Sequence, residues 1–235
     1  MSATEARQRA RIGSGGERRA SIWESSAHVR DLYRARARGE AEELTCHAQA
    51  AELLAVRARP GESVLDAGCG TGALFHALRR RHVDVEYHGI DASQTFVGIG
   101  REELGRFGLP PGRLQAIRLE DLDAEVDHAV CLNVLSNLDN VHRGLERLLQ
   151  AARRTVVLRE SLGPEARSTF VRDAFLDPGV DLRVHVNTYA IEEVAALCDH
   201  HGFRAEVVVD RWTGGEPELV IGHPHRWTFL VAERR

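Results

Sequence analysis

Residues 63–72 read Ser63-Val64-Leu65-Asp66-Ala67-Gly68-Cys69-Gly70-Thr71-Gly72. Ser63 to Asp66 follows the Pro60-Gly61 turn as a short apolar run, the pattern of a buried strand. The glycines then strip side chains from a turn, and Leu74 and Leu78 with neighbouring alanines predict an amphipathic helix ending near His82. A strand that turns through glycines into a helix aims free backbone N–H groups and the positive end of the helix dipole at one place, which is a ligand-binding turn.

Working outward, Val83 to Ile90 alternates as a second strand and completes a β-α-β unit. The alternation continues with a helix from Ser93 to Phe107, a turn at Pro110-Pro111-Gly112, a strand to Leu119, a strand from Val126 to Leu132, a helix from Asn140 to Ala152 and a strand from Thr155 to Leu158. A polar, glycine-containing stretch separates these from a helix over Ile191 to His201 and strands Ala205 to Val209 and Trp227 to Val231. Strands alternating with helices predict an α/β, doubly wound, mainly parallel sheet covered on both faces. Upstream, residues 21–58 carry helical spacing interrupted at Gly39 and are read as an N-terminal helical cover, with Trp23 and Tyr33 closing over the ligand. Residues 1–20 are arginine-rich with little apolar content and are read as a mobile tail, leaving 59–235 as the binding domain.

Bulk composition excludes several classes. A formal net charge of −4 gives no global attraction to nucleic acid, and no run reaches the length of a membrane span or a signal-peptide core. The expectation is a cytoplasmic protein without membrane or nucleic-acid partners. Cys46, Cys69, Cys131 and Cys198 form no C-x-x-C pair, so no metal site is expected. All 31 basic residues are arginine. A Walker-A loop, a pyridoxal Schiff base and a Tyr-x-x-x-Lys pair each need a lysine and are excluded.

Gly68-x-Gly70-x-x-Ala73 alone also satisfies a relaxed dinucleotide fingerprint, so a nicotinamide-dependent oxidoreductase stays open, as does a non-catalytic regulatory module. Asp66 separates the ligands. Its carboxylate would repel a pyrophosphate, whereas S-adenosylmethionine presents a cationic amine and a sulfonium, with one carboxylate to place on backbone N–H groups. Asp91, at the tip of the second strand beside Ala92, is placed to accept both ribose hydroxyls. Glu120 and Asp121 fall where an adenine amino group would reach, with Leu119 or Leu122 against the ring, and Asn133-Val134 would floor the reacting methyl.

In order and spacing, Val64 to Gly72, Asp91 and Cys131-Leu132-Asn133-Val134-Leu135 resemble class I S-adenosylmethionine-dependent methyltransferases over residues 60–160. The resemblance implies a Rossmann-like, seven-stranded sheet whose last strand is antiparallel, and it carries Asp66, Gly68, Gly70 and Asp91 over as cofactor contacts, with Gly72 beside them. Ser136-Asn137 stands where many relatives have Glu-His. A small-molecule acceptor, including natural products, is the class left once nucleic-acid signatures are absent. Its expected place is the carboxyl edge of the sheet, near Asn137, Arg159, Glu160, Asn187 and Tyr189, with His185, His223 and His225 as candidate bases.

Overall fold

The computed structural model describes residues 22–174 and 176–235, so the tail expected over 1–20 lies outside the described residues. Two helices, α1 (Ala27–Ala37) and α2 (Thr45–Ala55), precede strand β1 (Glu62–Ala67), helix α3 (Leu74–Arg80) and strand β2 (Val85–Asp91). Helix α4 (Gln94–Leu104), β3 (Leu114–Ala116), β4 (Val126–Leu132), α5 (Val141–Ala151) and β5 (Ala152–Gly163) follow. The remainder is β6 (Phe170–Arg172), β7 (Arg183–His185), β8 (Tyr189–Ala190), α6 (Ile191–His200), β9 (Phe203–Val209), β10 (Glu218–Val220), β11 (His223–His225) and β12 (Trp227–Arg234).

The main sheet runs β3-β2-β1-β4-β5-β12-β9, with the short β8 pairing β5. Strands β1 to β5 pair in parallel, and β12 inserts antiparallel between β5 and β9. This is the expected sheet, including its antiparallel last strand. Chain order reverses between β1 and β4, which opens a crevice at their carboxyl ends.

Alternation along the strands explains the two cores. Leu65, Ala129, Cys131, Val156, Leu158 and Leu230 point to the face that carries Leu145, Leu148 and Leu149 of α5. Val64, Val130, Val157 and Phe229 point to the other, against Leu54, Leu74, Leu78 and Leu104. Helix α5 presents Val141, Leu145, Leu148 and Leu149 at helical spacing and is capped by Asn140, whose side chain accepts from the His142 N–H at 2.8 Å. Each fully buried leucine of this kind contributes about 1.5–3 kcal/mol of transfer free energy.

Three segments differ from the sequence reading, the first being β3, which ends at Ala116 and gives way to a 3-10 turn over Leu119–Asp121. Strand β5 does not stop at Leu158 but continues to Gly163, because Arg159, Glu160 and Ser161 all find buried partners along it. The stretch after it is not simple loop. It folds as the β6–β7 hairpin, and a second hairpin, β10–β11, precedes β12.

Candidate active site

The glycine turn leaves β1 with Gly68, Gly70 and Gly72 at φ of +77°, +56° and +82°, a region that residues with a side chain seldom enter. A Cβ on Gly68 would stand 2.1 Å from Cγ2 of Val134, and one on Gly70 would stand 2.6 Å from Cε1 of Tyr33. The glycines thus admit the floor and the cover as well as a ligand. Gly72 differs: its missing Cβ would meet Leu104 and it does not line the cavity, so its role is packing.

Asp66 is also off the cavity wall. It is buried beneath the turn, where its Oδ2 accepts the Tyr87 hydroxyl at 2.7 Å, and burial pushes its carboxyl up to about 7, with Asp91 adding to the rise. This corrects the reading of Asp66 as a direct contact. The signal that was missed is register: Tyr87 pairs with Val64 across β1 and β2, and Val64 and Asp66 share one face.

Asp91 ends β2 in the crevice. Its Oδ2 accepts the Gly70 N–H and its Oδ1 the Ser93 N–H, both at 2.8 Å, which fixes the carboxylate and leaves lone pairs on each oxygen facing the cavity. Burial raises its pKa while the two N–H donors oppose the rise. Ala92, Ile117, Arg118, Leu119 and Glu120 continue the wall. Glu120 is paired to Arg118 at 3.1 Å, while Asp121 is exposed and outside the cavity, so only the first of the two acids reaches it.

Trp23, Tyr33 and Arg36 come from the N-terminal segment and line the same cavity, as does Phe96. The Tyr33 ring stacks on Phe96 at 4.6 Å with a 3° interplanar angle. Arg36 lies 5.2 Å over the Tyr33 ring and has no carboxylate partner among the described residues. Glu103 of α4, fully buried, holds the cover through Arg34 at 2.8 Å and Arg38 at 3.0 Å, and these partners, Arg38 first, hold its carboxyl down to about 2. His47, unremarked in the sequence, also lines the cavity; burial, with Arg36 nearby, pushes it down to about 4.

The floor is the exit of β4. Asn133 adopts φ +60°, tolerable for asparagine, and with Val134 and Asn137 lines the cavity. Of the residues expected on the acceptor side, Asn137 lines the cavity, while Arg159, Glu160, Asn187 and Tyr189 build this floor instead. Glu160, 1% exposed, accepts the N–H groups of Val134, Leu135 and Ser136 and the Ser136 hydroxyl at 2.8–2.9 Å. Burial raises its carboxyl and those donors pull it back. Asn187 donates to the Leu138 carbonyl, and Tyr189 to those of Leu135 and Leu138. Arg159 pairs with Asp210 at 2.7 Å, donates to Asn133 Oδ1 at 2.6 Å and lies over the Trp227 ring. None of Arg159, Glu160, Asn187 or Tyr189 lines the cavity. Because β5 is longer than expected, Arg159 and Glu160 point to opposite sheet faces, and both are enclosed.

Beyond the floor, Leu138, Val184, Val220, His225 and Trp227 close the far wall. Of the three candidate histidines only His225 lines it. His185 alternates away from Val184 and packs on Phe170, and His223 pairs with Val220 on the hairpin without lining the cavity. The whole cavity encloses about 510 Å³, within the usual range for small-molecule sites. No group of three or more metal-ligating side chains occurs among the described residues, and none of their helices is long and apolar enough to cross a membrane.

Residues 65–158 match the family described as Methyltransferase domain. The mitochondrial ubiquinone biosynthesis O-methyltransferase of Saccharomyces cerevisiae is 30% identical over 83 residues, which is 34% of this chain and 27% of that protein. A Synechococcus protein is 34% identical over 36% of this chain and 21% of its own, so the chain matches about a quarter of the length of these curated relatives. Among solved structures, the sugar N-methyltransferase KedS8 from a Streptoalloteichus species has a TM-score of 0.61 at 16% identity, covering 96% of this chain and 98% of its own. Magnesium protoporphyrin IX methyltransferase from Synechocystis with bound S-adenosylmethionine gives 0.59 at 18%, covering 91% and 94%. The glycine turn and sheet order agree with the resemblance to class I S-adenosylmethionine-dependent methyltransferases, and the domain match spans residues 65–158.

Proposed function

We propose that the chain transfers a methyl group from S-adenosylmethionine to a small molecule, with the donor between the cover and the β1–β2 edge and the acceptor against the far wall. The observation that carries this is one continuous cavity that begins at Asp91 and ends at His225 and Trp227. Those ends are four strand positions apart in the sheet, from β2 to β12, or roughly 19 Å at the usual strand spacing. Two ligands fit side by side with the exit of β4 between them.

The residues fit the donor. Asp91 receives the ribose hydroxyls on its free lone pairs, and Ile117, Leu119 and Glu120 flank the adenine. Gly68 and Gly70 let the backbone approach, and Arg36 offers a guanidinium to the carboxylate of the amino-acid end. Asp66 acts from below the turn by accepting the Tyr87 hydroxyl, which fixes the strand end beneath the glycines. Bound S-adenosylmethionine supplies an electrophilic methyl on a sulfonium, which needs a nucleophile placed in line at about 3 Å. Asn133, Val134 and Asn137 shape that point, and the Tyr33–Phe96 stack keeps water from it.

The names of the similar proteins differ: an O-methyltransferase of ubiquinone biosynthesis, a sugar N-methyltransferase and a magnesium protoporphyrin IX methyltransferase. The test is calorimetric titration with S-adenosylhomocysteine, followed by labelled methyl transfer into a fractionated metabolite extract. Micromolar binding and label in one small-molecule fraction are expected. Binding without transfer would leave a regulatory module, and stabilisation by NADH in place of S-adenosylhomocysteine would overturn the assignment.

A further inference from the structure

Helix α1 begins without an acid of its own. Its first turn, Ala27-His28-Val29-Arg30, holds no carboxylate, and the Ser26 cap accepts the Val29 N–H at 3.3 Å. The anion that a helix start favours comes instead from 150 residues away. Asp177, in the loop that joins β6 to β7, accepts the Ala27 N–H at 3.0 Å on both carboxylate oxygens. Its own N–H donates to the Ser25 carbonyl at 3.1 Å, and Arg30 lies 4.0 Å from the same carboxylate.

This contact joins two segments that line different ends of the cavity. Trp23 lies just before it in the chain, α1 carries Tyr33 and Arg36, and β7 carries Val184 of the far wall. Followed around the cavity, the enclosing segments meet at joints of unequal burial. Glu103, fully buried, clamps the C-terminal half of α1 through Arg34 and Arg38. Asn187, 1% exposed, ties the base of the β6–β7 hairpin to the floor: its Oδ1 accepts the Thr169 N–H at 2.9 Å and its Nδ2 donates to the Leu138 carbonyl at 2.8 Å. Asp177 differs, with a side chain 40% exposed beside an Arg30 that is 36% exposed. Close by, the Glu24 carboxylate accepts the Thr95 N–H of α4 at 3.4 Å, also in the open. Water competes for these exposed contacts and is shut out of the buried ones, so the joint at Asp177 is the first to open.

Taking donor binding in this cavity as its basis, we propose that Asp177 latches the cover to the β6–β7 hairpin, and that release of this latch is the gate through which ligands enter and leave. With the latch open, α1 swings from its Glu103 end and carries Trp23 off the cavity. Tyr33 and Arg36, nearer the clamp, keep their places. Because Asp177 is not part of the cavity wall, the gate sets rates more than affinity. A cavity that is closed most of the time admits a ligand only in its open fraction, and that fraction scales entry and exit alike.

Stopped-flow tryptophan fluorescence of the full chain with S-adenosylhomocysteine tests this. The slope of the observed rate against concentration gives association, and the intercept gives release. In Asp177→Ala both rates are expected to rise at least threefold while calorimetric affinity stays within twofold. A second variant separates a latch from a helix cap. Asp177→Ala combined with His28→Glu places an acid at an exposed position in the first turn of α1, which restores the helix start without the tie to the hairpin. Its rates are expected to stay at least threefold above those of the unaltered chain. Three results overturn the inference: smaller changes in Asp177→Ala, faster release alone with affinity lost in proportion, or recovery of the unaltered rates in the double variant. A chain that does not bind S-adenosylhomocysteine at all removes the methyl-donor reading instead.

Discussion

The two halves of the cavity are built in opposite ways. The half around Asp91, proposed for the donor, is made of strand tips and a turn whose N–H groups fix the Asp91 carboxylate, so a few residues in fixed order define it. The half proposed for the acceptor is made of side chains from the floor and two hairpins, β6–β7 and β10–β11. A conserved chemistry needs the first kind of construction and a variable acceptor permits the second. The difference is that donor-half changes should alter cofactor affinity, while hairpin changes should alter only the acceptor.

The hardest test of that separation is Asp91→Ala. Losing two charge-assisted bonds should weaken S-adenosylhomocysteine by about 3–4 kcal/mol, or roughly 10²–10³ in calorimetric affinity. Unchanged affinity would mean the ribose sits elsewhere. Asp66→Asn comes next and separates a hidden residue from a contact. Its carboxyl is raised from 3.8 to about 7 in the folded chain, so the fold binds the extra proton and loses stability as pH rises through that window. The amide removes the penalty, and thermal unfolding of the cofactor-free chain should show a gain of about 2–3 kcal/mol at pH 8 that vanishes near pH 4. A loss at pH 8 would show that the charge supports the fold.

His225 has the opposite sign. Its folded-state pKa is depressed from 6.5 to about 4, so its contribution is present above 6.5 and lost as pH falls through that interval. Glu103→Gln should loosen the cover and weaken S-adenosylhomocysteine about fivefold, although Glu103 lies outside the cavity. Equal affinity would mean that α1 is held by packing alone. The smallest expected effect is that of Val220→Ala, which should raise the acceptor KM and leave cofactor affinity within about twofold, a change of under 0.5 kcal/mol. A larger effect would show the halves to be coupled through β12.

What could be read from the chain follows the same divide. The glycine turn, Asp91, the strand order, and Trp23 and Tyr33 over the cavity are legible because each depends on local pattern and chain direction. Glu160 and Arg159 are not, since their meaning depends on where β5 ends, and buried partners 24 to 51 residues away decide that. Tyr189 and Asn187 look like cleft residues in the sequence because they are polar and near a strand edge, yet the backbone carbonyls of 135 and 138 claim them. Arg36 and His47 carry no motif at all; only the packing of α1 and α2 over the turn shows them. The single histidine retained on the far wall is set by the alternation of a three-residue strand, too short to phase from composition.

Helix α4 begins two residues after Asp91, at the Ser93 cap, and carries Glu103 near its other end. One element therefore touches both the Asp91 carboxylate, proposed to meet the ribose, and the arginine clamp of the cover. By reciprocity, whatever free energy the clamp adds to donor binding the donor adds to the clamp. Saturation with S-adenosylhomocysteine should then slow amide hydrogen exchange across 27–37 more than across the central strands.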